Sequence, residues 1–482
     1  MSAQLPSSLP SSRIPLVIDL DGTLIRTDLL HESVIKLVRG RPHLAFALPA
    51  WLMVGKANLK RQIADRVSLE VQNLPYDDKL LEWIRAEKAS GRSVILCTAS
   101  EARYAQSVAD HLGLFDDVIA TNGVDNVTAE RKAQLLVSRY GERGFDYAGN
   151  SSADLVVWAR ARSAIVVDAP QAVRDEARRS AEVEREFERP AADLHTWLRA
   201  MRLHQWLKNL LVLLPVAGAF QLGNLLLVQQ ALLAFLAFGL CASSVYVLND
   251  IMDLESDRAH PRKKLRPFAS GQLSLPKGLV FALALLALSA LIAGMGRPAF
   301  MYWLGVYFAL TLAYTFFLKR RVLADCITLG ILYTIRIVAG AAAVALSASF
   351  WLISFSLFLF LSLAFVKRYS ELVEVAEIGG AEAHGRGYRA ADLPLVLVMG
   401  VAAGFSSVLL LALYINGDTV QRLYSQPEVL WLTIPIQLYW ISRMWMKAQR
   451  GNMHDDPIVF ALRDPYSLAC GALFAATLVA AR

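Results

Sequence analysis

Two hydrophobic patterns divide the chain. Over residues 14–170, short apolar runs such as "IPLVIDL" (14–20) and "SVILCTAS" (93–100) alternate with longer, mixed stretches such as "TAERKAQLL". Apolar runs of that length read as buried strands, and their alternation with helical stretches predicts a parallel α/β sheet with ligands at the strand C-termini. From about residue 207 the pattern changes to long apolar runs of roughly 15–25 residues, the length that spans a bilayer core. Nine such runs are expected, at 207–222, 225–248, 278–296, 299–318, 322–346, 350–366, 393–415, 428–446 and 458–480. The first is short and holds Pro215 and Gly218, so its ends are the least defined. The expected fold class is multidomain: an N-terminal α/β Rossmannoid domain with a helical cap, then an all-α polytopic membrane domain of nine transmembrane helices.

Composition sharpens this division. The chain is 55% hydrophobic and 19% charged, beyond the norm for soluble proteins, yet its charges concentrate before residue 200. The breaks between apolar runs alternate in basicity. Arg199, Arg202 and Lys208 precede the first run. The 2–3 loop adds Arg258, Arg262, Lys263, Lys264, Arg266 and Lys277, and "KRR" fills 319–321. The other face offers only Arg297, Arg422 and Arg482. By the positive-inside rule, the N-terminal domain and the large loops are cytoplasmic, as in a multi-pass protein of a bacterial-type inner membrane. The net charge of +7 suits anionic lipid and phosphorylated substrates, and no nucleic-acid partner is expected. Cys97, Cys241, Cys326 and Cys470 are far apart in sequence and read as buried, reduced and structural. Residues 1–12 read as a disordered leader, and 171–198 as a charged helical connector. The run "HLAFALPAWLMVG" (43–55) is too short to span and is expected to pack within the cap rather than touch lipid.

Candidate chemistry sits where the second long run ends, in "NDIMDLESDRAHPRKKLRP" (249–267). Asn249, Asp253 and Asp257 fall at i, i+4 and i+8, on one face of a helix, with Asp250 beside them. Acids gathered in this way repel unless a cation lies between them. The bases that follow suit anionic oxygens. The combination indicates a metal–diphosphate site at a membrane surface. Within the fifth run, Asp325 and Arg336 lie on nearly the same face, as cavity-lining groups or as contacts to a neighbouring helix.

These motifs, with "RLHQWLKN" (202–209), "KRYSELVEV" (367–375) and "GRGYRAADL" (385–393), resemble the UbiA superfamily of membrane prenyltransferases over about residues 199–482. The resemblance implies nine helices and Mg²⁺ held on a substrate diphosphate by Asn249, Asp250, Asp253 and Asp257. It makes Asn209, Asp325, Arg336, Glu371 and Tyr388 cavity candidates. The loop after the sixth run departs from the aromatic prenyltransferases, which carry a second Asp-rich motif there. Here Glu371 and Glu374 stand among Lys367, Arg368, Arg386 and Arg389. That pattern looks like the branch typified by decaprenyl-phosphate phosphoribosyltransferase, in which phosphoribosyl pyrophosphate is the donor and a polyprenyl phosphate the acceptor. Lys208, Arg258, Lys263, Lys264, Arg266, Lys367, Arg368 and Arg386 are then the expected phosphate-binding residues. Plain positive-inside topology accounts for the number of these bases, though not for their placement beside the acids.

In the N-terminal part, "DLDGT" (19–23), Thr98, Lys132 and "GNSSAD" (149–154) resemble in order the four motifs of the haloacid dehalogenase superfamily, over about residues 13–170 with an inserted cap at about 28–90. The resemblance implies that Asp19 is a nucleophile on phosphorus and Asp21 a general acid–base. Thr98 and Lys132 hold phosphoryl oxygens, and Asp19, Asp21, Asn150 and Asp154 hold Mg²⁺. Asn150 departs from the family's usual aspartate. It implies weakened metal binding, Asp154 taking over, or a domain kept for regulation or assembly.

The leading expectation is a bifunctional enzyme: the membrane half makes a polyprenyl-phosphoryl 5-phosphoribose and the N-terminal half removes its 5-phosphate. The alternative is a UbiA-type transfer of a polyprenyl group to an aromatic or other small acceptor, with a regulatory or unrelated N-terminal domain. A transporter or scaffold fits the helices but not the acid cluster. Homo-oligomerisation is compatible with the sequence.

Overall fold

A computed structural model of the chain describes residues 14–122, 127–377, 387–453 and 456–482. It divides into two compact units, Met1–Ala200 with Asp250–Val280, and Met201–Asn249 with Phe281–Arg482. The leader, and Arg386 among the candidate residues, lie outside the described positions.

The first unit is built on a six-stranded parallel sheet of β1 (Leu16–Ile18), β2 (Val94–Glu101), β3 (Asp117–Thr121), β4 (Asp146–Gly149), β5 (Ser163–Val167) and β6 (Glu182–Phe187), in the order β3-β2-β1-β4-β5-β6. All three residues of β1 are buried, as a central strand covered on both faces requires. Leu16 to Ile18 pair with Val94 to Leu96 on one side and Asp146 to Ala148 on the other. The residues that follow β1 therefore emerge between the ends of β2 and β4, at the point where the strand order reverses.

Two boundaries differ from expectation. Residues 171–190 are not a free connector: helix Gln171–Ser180 leads into β6, which pairs with β5 at the sheet edge. The cap is shorter than 28–90. A bridge between Ile25 and Tyr76 closes its base, and helix Asp78–Ala89 buries Leu80, Leu81, Trp83 and Ile84 in the core beneath the sheet. The cap begins with helix α1 (Leu29–Gly40), whose N-cap Asp28 accepts from the N–H groups of Leu30 and His31. Within the 43–55 run, Leu44, Leu48 and Trp51 pack against Leu37, Leu59 and Ile63 of the cap, while Phe46, Met53 and Val54 are exposed.

The second unit is helical. Among the described residues six helices are long and apolar enough to cross a membrane: Leu225–Met252, Leu275–Gly294, Pro298–Phe316, Ala324–Val344, Phe350–Glu377 and Ala390–Ile415. The other three expected spans are shorter. Residues Leu203–Leu213 form a 3₁₀ stretch that passes into the five-residue helix Leu214–Gly218, while Thr433–Gln449 and Pro465–Ala480 have 17 and 16 residues. The 3₁₀ stretch packs closely on helix Ala324–Val344: a Cβ on Gly340 would lie 2.1 Å from the Val212 carbonyl oxygen. That approach buries Lys208 and Asn209 inside the unit. Cys97, Cys241 and Cys326 are buried, and Cys470 is half-exposed.

Gly340→Val forces this contact apart. It should cost about 1–3 kcal/mol and lower the thermal unfolding midpoint of the detergent-solubilised protein, whereas the same change at Gly305, which has open space around it, should not.

Candidate active sites

The four N-terminal motifs converge at the C-terminal ends of β1, β2 and β4. The N–H of Asp19 donates to the Ala148 carbonyl at 3.0 Å, fixing the turn that follows β1. Lys132 donates to Asp19 Oδ1 at 2.9 Å and to the Tyr147 hydroxyl at 2.7 Å. Asp21 accepts from the Leu29 N–H (2.8 Å) and the Ser100 hydroxyl (2.5 Å), with the Thr98 hydroxyl at 3.5 Å. Burial pushes the Asp19 carboxyl up to about 6 against the pull of Lys132, with the Asp154 charge adding to the rise. Burial and the Asp28 charge push Asp21 up to about 7. A carboxyl raised so far is suited to general acid–base work.

The last motif is organised differently from the expectation. Asp154 Oδ2 accepts from the N–H groups of Asn150 and Ser151 and from the Ser151 hydroxyl, and Oδ1 accepts from Tyr147. Oδ2 thus holds the loop, and Oδ1 is tied to Tyr147 of β4. Asn150 is presented to the Asp19–Asp21 turn instead: a Cβ on Gly22, which has φ +75°, would meet its Nδ2 at 2.1 Å. Asp19, Asp21 and Asn150 offer hard oxygens in one place, and this donor set fits Mg²⁺.

Lys60 escaped the sequence reading. It lies on the cap helix Lys56–Ala64 and donates to the Ala99 carbonyl at 2.6 Å, between Thr98 and Ser100. Burial holds its ammonium below the ordinary lysine value. The sequence signal was a lysine three residues before the buried Ile63, on the same side of the helix.

The Asp-rich segment belongs to the first unit. Its helix does not run through. Leu225–Met252 ends before Asp253, which adopts φ −102°, ψ 16°, and the short helix Leu254–Ala259 follows. The expected continuous face of Asn249, Asp253 and Asp257 is therefore broken. Arg266 bridges Asp257 (2.6 Å) and Asp250 (3.2 Å), and Arg39 stands 3.3 Å from Asp253. Burial holds Asp257 above the usual carboxylate range, opposed by Arg266 and reinforced by Asp250 and Asp253. Among the described residues no three His, Cys, Asp or Glu side chains gather closely enough to hold a metal by themselves. The guanidinium of Arg266 occupies the position between two carboxylates, and that position selects positive charge. The carboxylates are hard-oxygen donors of the type a divalent cation takes, held here by the guanidinium groups of Arg266 and Arg39. Arg258 is no phosphate ligand: it is buried, paired with Glu32 and bonded to the Ala269 carbonyl. Lys263 and Lys264 lie on an exposed 3₁₀ turn.

In the second unit, Arg336 donates to Asn209 Oδ1 (3.0 Å), to the Tyr307 hydroxyl (3.1 Å) and to the Leu332 carbonyl, and lies over the rings of Phe238, Tyr307 and Tyr333. Among the described residues all of its hydrogen-bond partners are neutral. Asn209 is buried, and its Nδ2 has no partner among the described residues. Lys208 lies over the Tyr333 ring and shares one carboxylate, Asp456, with Lys367, at 2.7 and 3.3 Å. Asp456 was not singled out from the sequence, although an acidic pair in an otherwise basic loop was a signal. Asn249 accepts from Lys319 at 3.4 Å. Arg368 is fully buried and, like Arg258, is a structural partner: it pairs with Asp325 (2.9 Å) and Glu371, and Asp325 also accepts from Tyr388 (2.6 Å). Asp325 and Arg336 serve separate networks.

Residues 210–463 match the UbiA prenyltransferase family and residues 16–157 the haloacid dehalogenase-like hydrolase family. The chain belongs to the UbiA prenyltransferase family and carries a haloacid dehalogenase-like hydrolase domain at its N-terminal end. It is 38% identical over 477 residues to the uncharacterized protein y4nM of Sinorhizobium fredii, covering 97% of this chain and 91% of that one. The nodulation protein NoeC of Azorhizobium caulinodans is 37% identical over 277 residues, which is 57% of this chain and 89% of that protein. The decaprenyl-phosphate phosphoribosyltransferase of Mycobacterium tuberculosis is 36% identical over 190 residues, 38% of this chain and 62% of that enzyme.

Lys60→Met removes the cap's ammonium from the hydrolase centre. It should raise KM for a phosphomonoester such as p-nitrophenyl phosphate roughly tenfold and change kcat much less, since it removes a binding contact away from the reacting atoms.

Proposed function

We propose that the protein transfers 5-phosphoribose from phosphoribosyl pyrophosphate to a polyprenyl phosphate, and that its hydrolase domain removes the 5-phosphate from the product. The observation that carries this reading is the surplus of positive charge inside the helical unit. Among the described residues Arg336 has only neutral hydrogen-bond partners, and Lys208 and Lys367 share the carboxylate of Asp456. A buried guanidinium without a counter-charge is costly unless an anion completes it. Glu371, the acid that might have served a second metal, is taken by Arg368. An anionic acceptor suits these groups better than an uncharged aromatic one.

In this reading Arg336, Lys208, Lys367 and the Asn209 Nδ2, which has no partner among the described residues, hold the lipid phosphate. Asp250, Asp253 and Asp257 serve the donor diphosphate, where Mg²⁺ supplies neutralisation of the leaving pyrophosphate. A lipid phosphate oxygen attacks ribose C1 as the bond from C1 to the pyrophosphate oxygen breaks. In the hydrolase centre, Asp19 then attacks the 5-phosphorus, with Lys132 and Thr98 on the phosphoryl oxygens. As the bond from phosphorus to the ribose 5-oxygen breaks, Asp21 protonates that oxygen, and it afterwards takes a proton from the water that hydrolyses the aspartyl-phosphate. Both sites act from the cytoplasmic side, as the charge asymmetry of the loops implies.

The second reading, prenyl transfer to a small aromatic acceptor, is favoured by the rings of Phe238, Tyr307 and Tyr333 around Arg336. Membranes supplied with labelled phosphoribosyl pyrophosphate or labelled prenyl diphosphate separate the two: label entering lipid only from the prenyl donor overturns the first reading. Asp253→Asn should lower transfer by roughly a hundredfold, the scale of losing one charge-stabilising group at the reacting centre, with normal membrane insertion. Asp19→Asn should leave transfer running and accumulate the 5-phosphorylated lipid. An unchanged ratio of phosphorylated to dephosphorylated ribosyl lipid would show that the hydrolase acts elsewhere or is silent.

A further inference from the structure

Helix α1 of the hydrolase cap carries Glu32, Lys36 and Arg39 at i, i+4 and i+7, which share one helix face. All three engage the Asp-rich segment, in antiparallel order. Glu32 accepts both arms of the Arg258 guanidinium at 2.6 and 2.7 Å. Lys36 donates to Glu255 at 2.5 Å, and Arg39 stands 3.3 Å from Asp253. Acid, base, base face base, acid, acid, so a shift of one rung would oppose Lys36 to Arg258 and set like charges together. The Glu32–Arg258 rung is nearly closed to water, and Arg258 also donates from Nε to the Ala269 carbonyl at 2.8 Å, which fastens the return of the segment. Gly271 lies against the backbone of Arg26, just before α1: a Cβ there would meet the Arg26 carbonyl oxygen at 2.8 Å. The segment is thus seated on the cap along its length.

We infer that α1 is the counter-ion carrier of the Asp-rich segment: Glu32, acting through Arg258, positions the segment, and Arg39 neutralises Asp253 until a divalent cation displaces it. The inference rests on the reading of Asp253 as a metal ligand. It adds that the hydrolase cap sets how tightly the transferase segment takes its metal. Asp253 is drawn on by two competing cations, one covalently tethered and present at fixed effective concentration, the other drawn from solution. Removing the tethered one tightens binding of the free one. Loosening the segment by removing Glu32 weakens binding, because the ligands lose their preorganisation.

The experiment uses the full chain in lipid nanodiscs, with Asp19→Asn as background to silence the hydrolase cation site, and follows Mn²⁺ binding by electron paramagnetic resonance. Asp253→Asn should abolish the remaining Mn²⁺ binding. Arg39→Gln should tighten it a few-fold. Glu32→Gln should weaken it, and the exchanged pair Glu32→Arg with Arg258→Glu should recover it. If Asp253→Asn leaves Mn²⁺ binding intact, the metal reading of the segment falls and the inference falls with it. If Asp253→Asn abolishes binding but Arg39→Gln leaves the affinity unchanged or lowers it, the metal reading stands and the counter-ion role of Arg39 is overturned. An exchanged pair that folds normally by circular dichroism yet does not recover binding overturns the positioning role of Glu32.

Discussion

Arg258 and Glu32 are a charged pair almost shut off from water, and much of the first unit's arrangement follows from them. Two ions cannot be taken out of water unless their attraction and their remaining hydrogen bonds make up the loss. Here both guanidinium arms meet both carboxylate oxygens, and the third donor meets a backbone carbonyl. Removing either partner would strand the other, at a cost of about 3–5 kcal/mol. The pair joins positions 226 apart in sequence. It explains how a segment that follows a membrane-length helix comes to be part of the compact body of the hydrolase-like domain. Helix α1, which makes the contact, also begins on the hydrolase centre through the bond from the Leu29 N–H to Asp21.

The helical unit obeys the same rule with a different outcome. Asp325, Arg368, Glu371 and Tyr388 close on one another, and the guanidinium there has carboxylates on both sides. Arg336 is placed otherwise. It is held by an amide, a phenol, a carbonyl and three aromatic faces, which satisfy geometry without cancelling charge. The difference between these two neighbourhoods separates structure from function more sharply than the presence of ionisable groups in apolar helices does.

The α/β core and the hydrolase constellation were legible because three of the motifs sit at the ends of buried strands and the fourth, Lys132, opens a helix, each encoded in a few contiguous residues. Asp19, Thr98 and Lys132 needed only the sheet to bring them together. What could not be read were long-range pairings and departures from helix periodicity. The edge strand β6 is "EVEREF", whose charged, largely exposed side chains lack the apolar run that marks a strand. Charges of that kind suit a sheet edge. The spacing of Asn249, Asp253 and Asp257 promised one face only if the helix continued, and it stops at Met252. Arg258 and Arg368 looked like phosphate ligands because a base in a basic loop carries no mark of its partner. Three apolar runs had the composition of spans but fold into shorter pieces, the first interrupted by a 3₁₀ stretch.

The packing of Asn150 on Gly22 has a consequence for the hydrolase centre's charge inventory. Asp154 is occupied with its loop, and Lys132 already offsets Asp19. An amide at position 150 supplies an oxygen but no charge, so the centre attracts a divalent cation with one unit less than a carboxylate there would give. Such a centre would exchange its cation readily and fill in proportion to the surrounding concentration instead of remaining saturated. Hydrolysis would then be graded by the ionic state of the compartment.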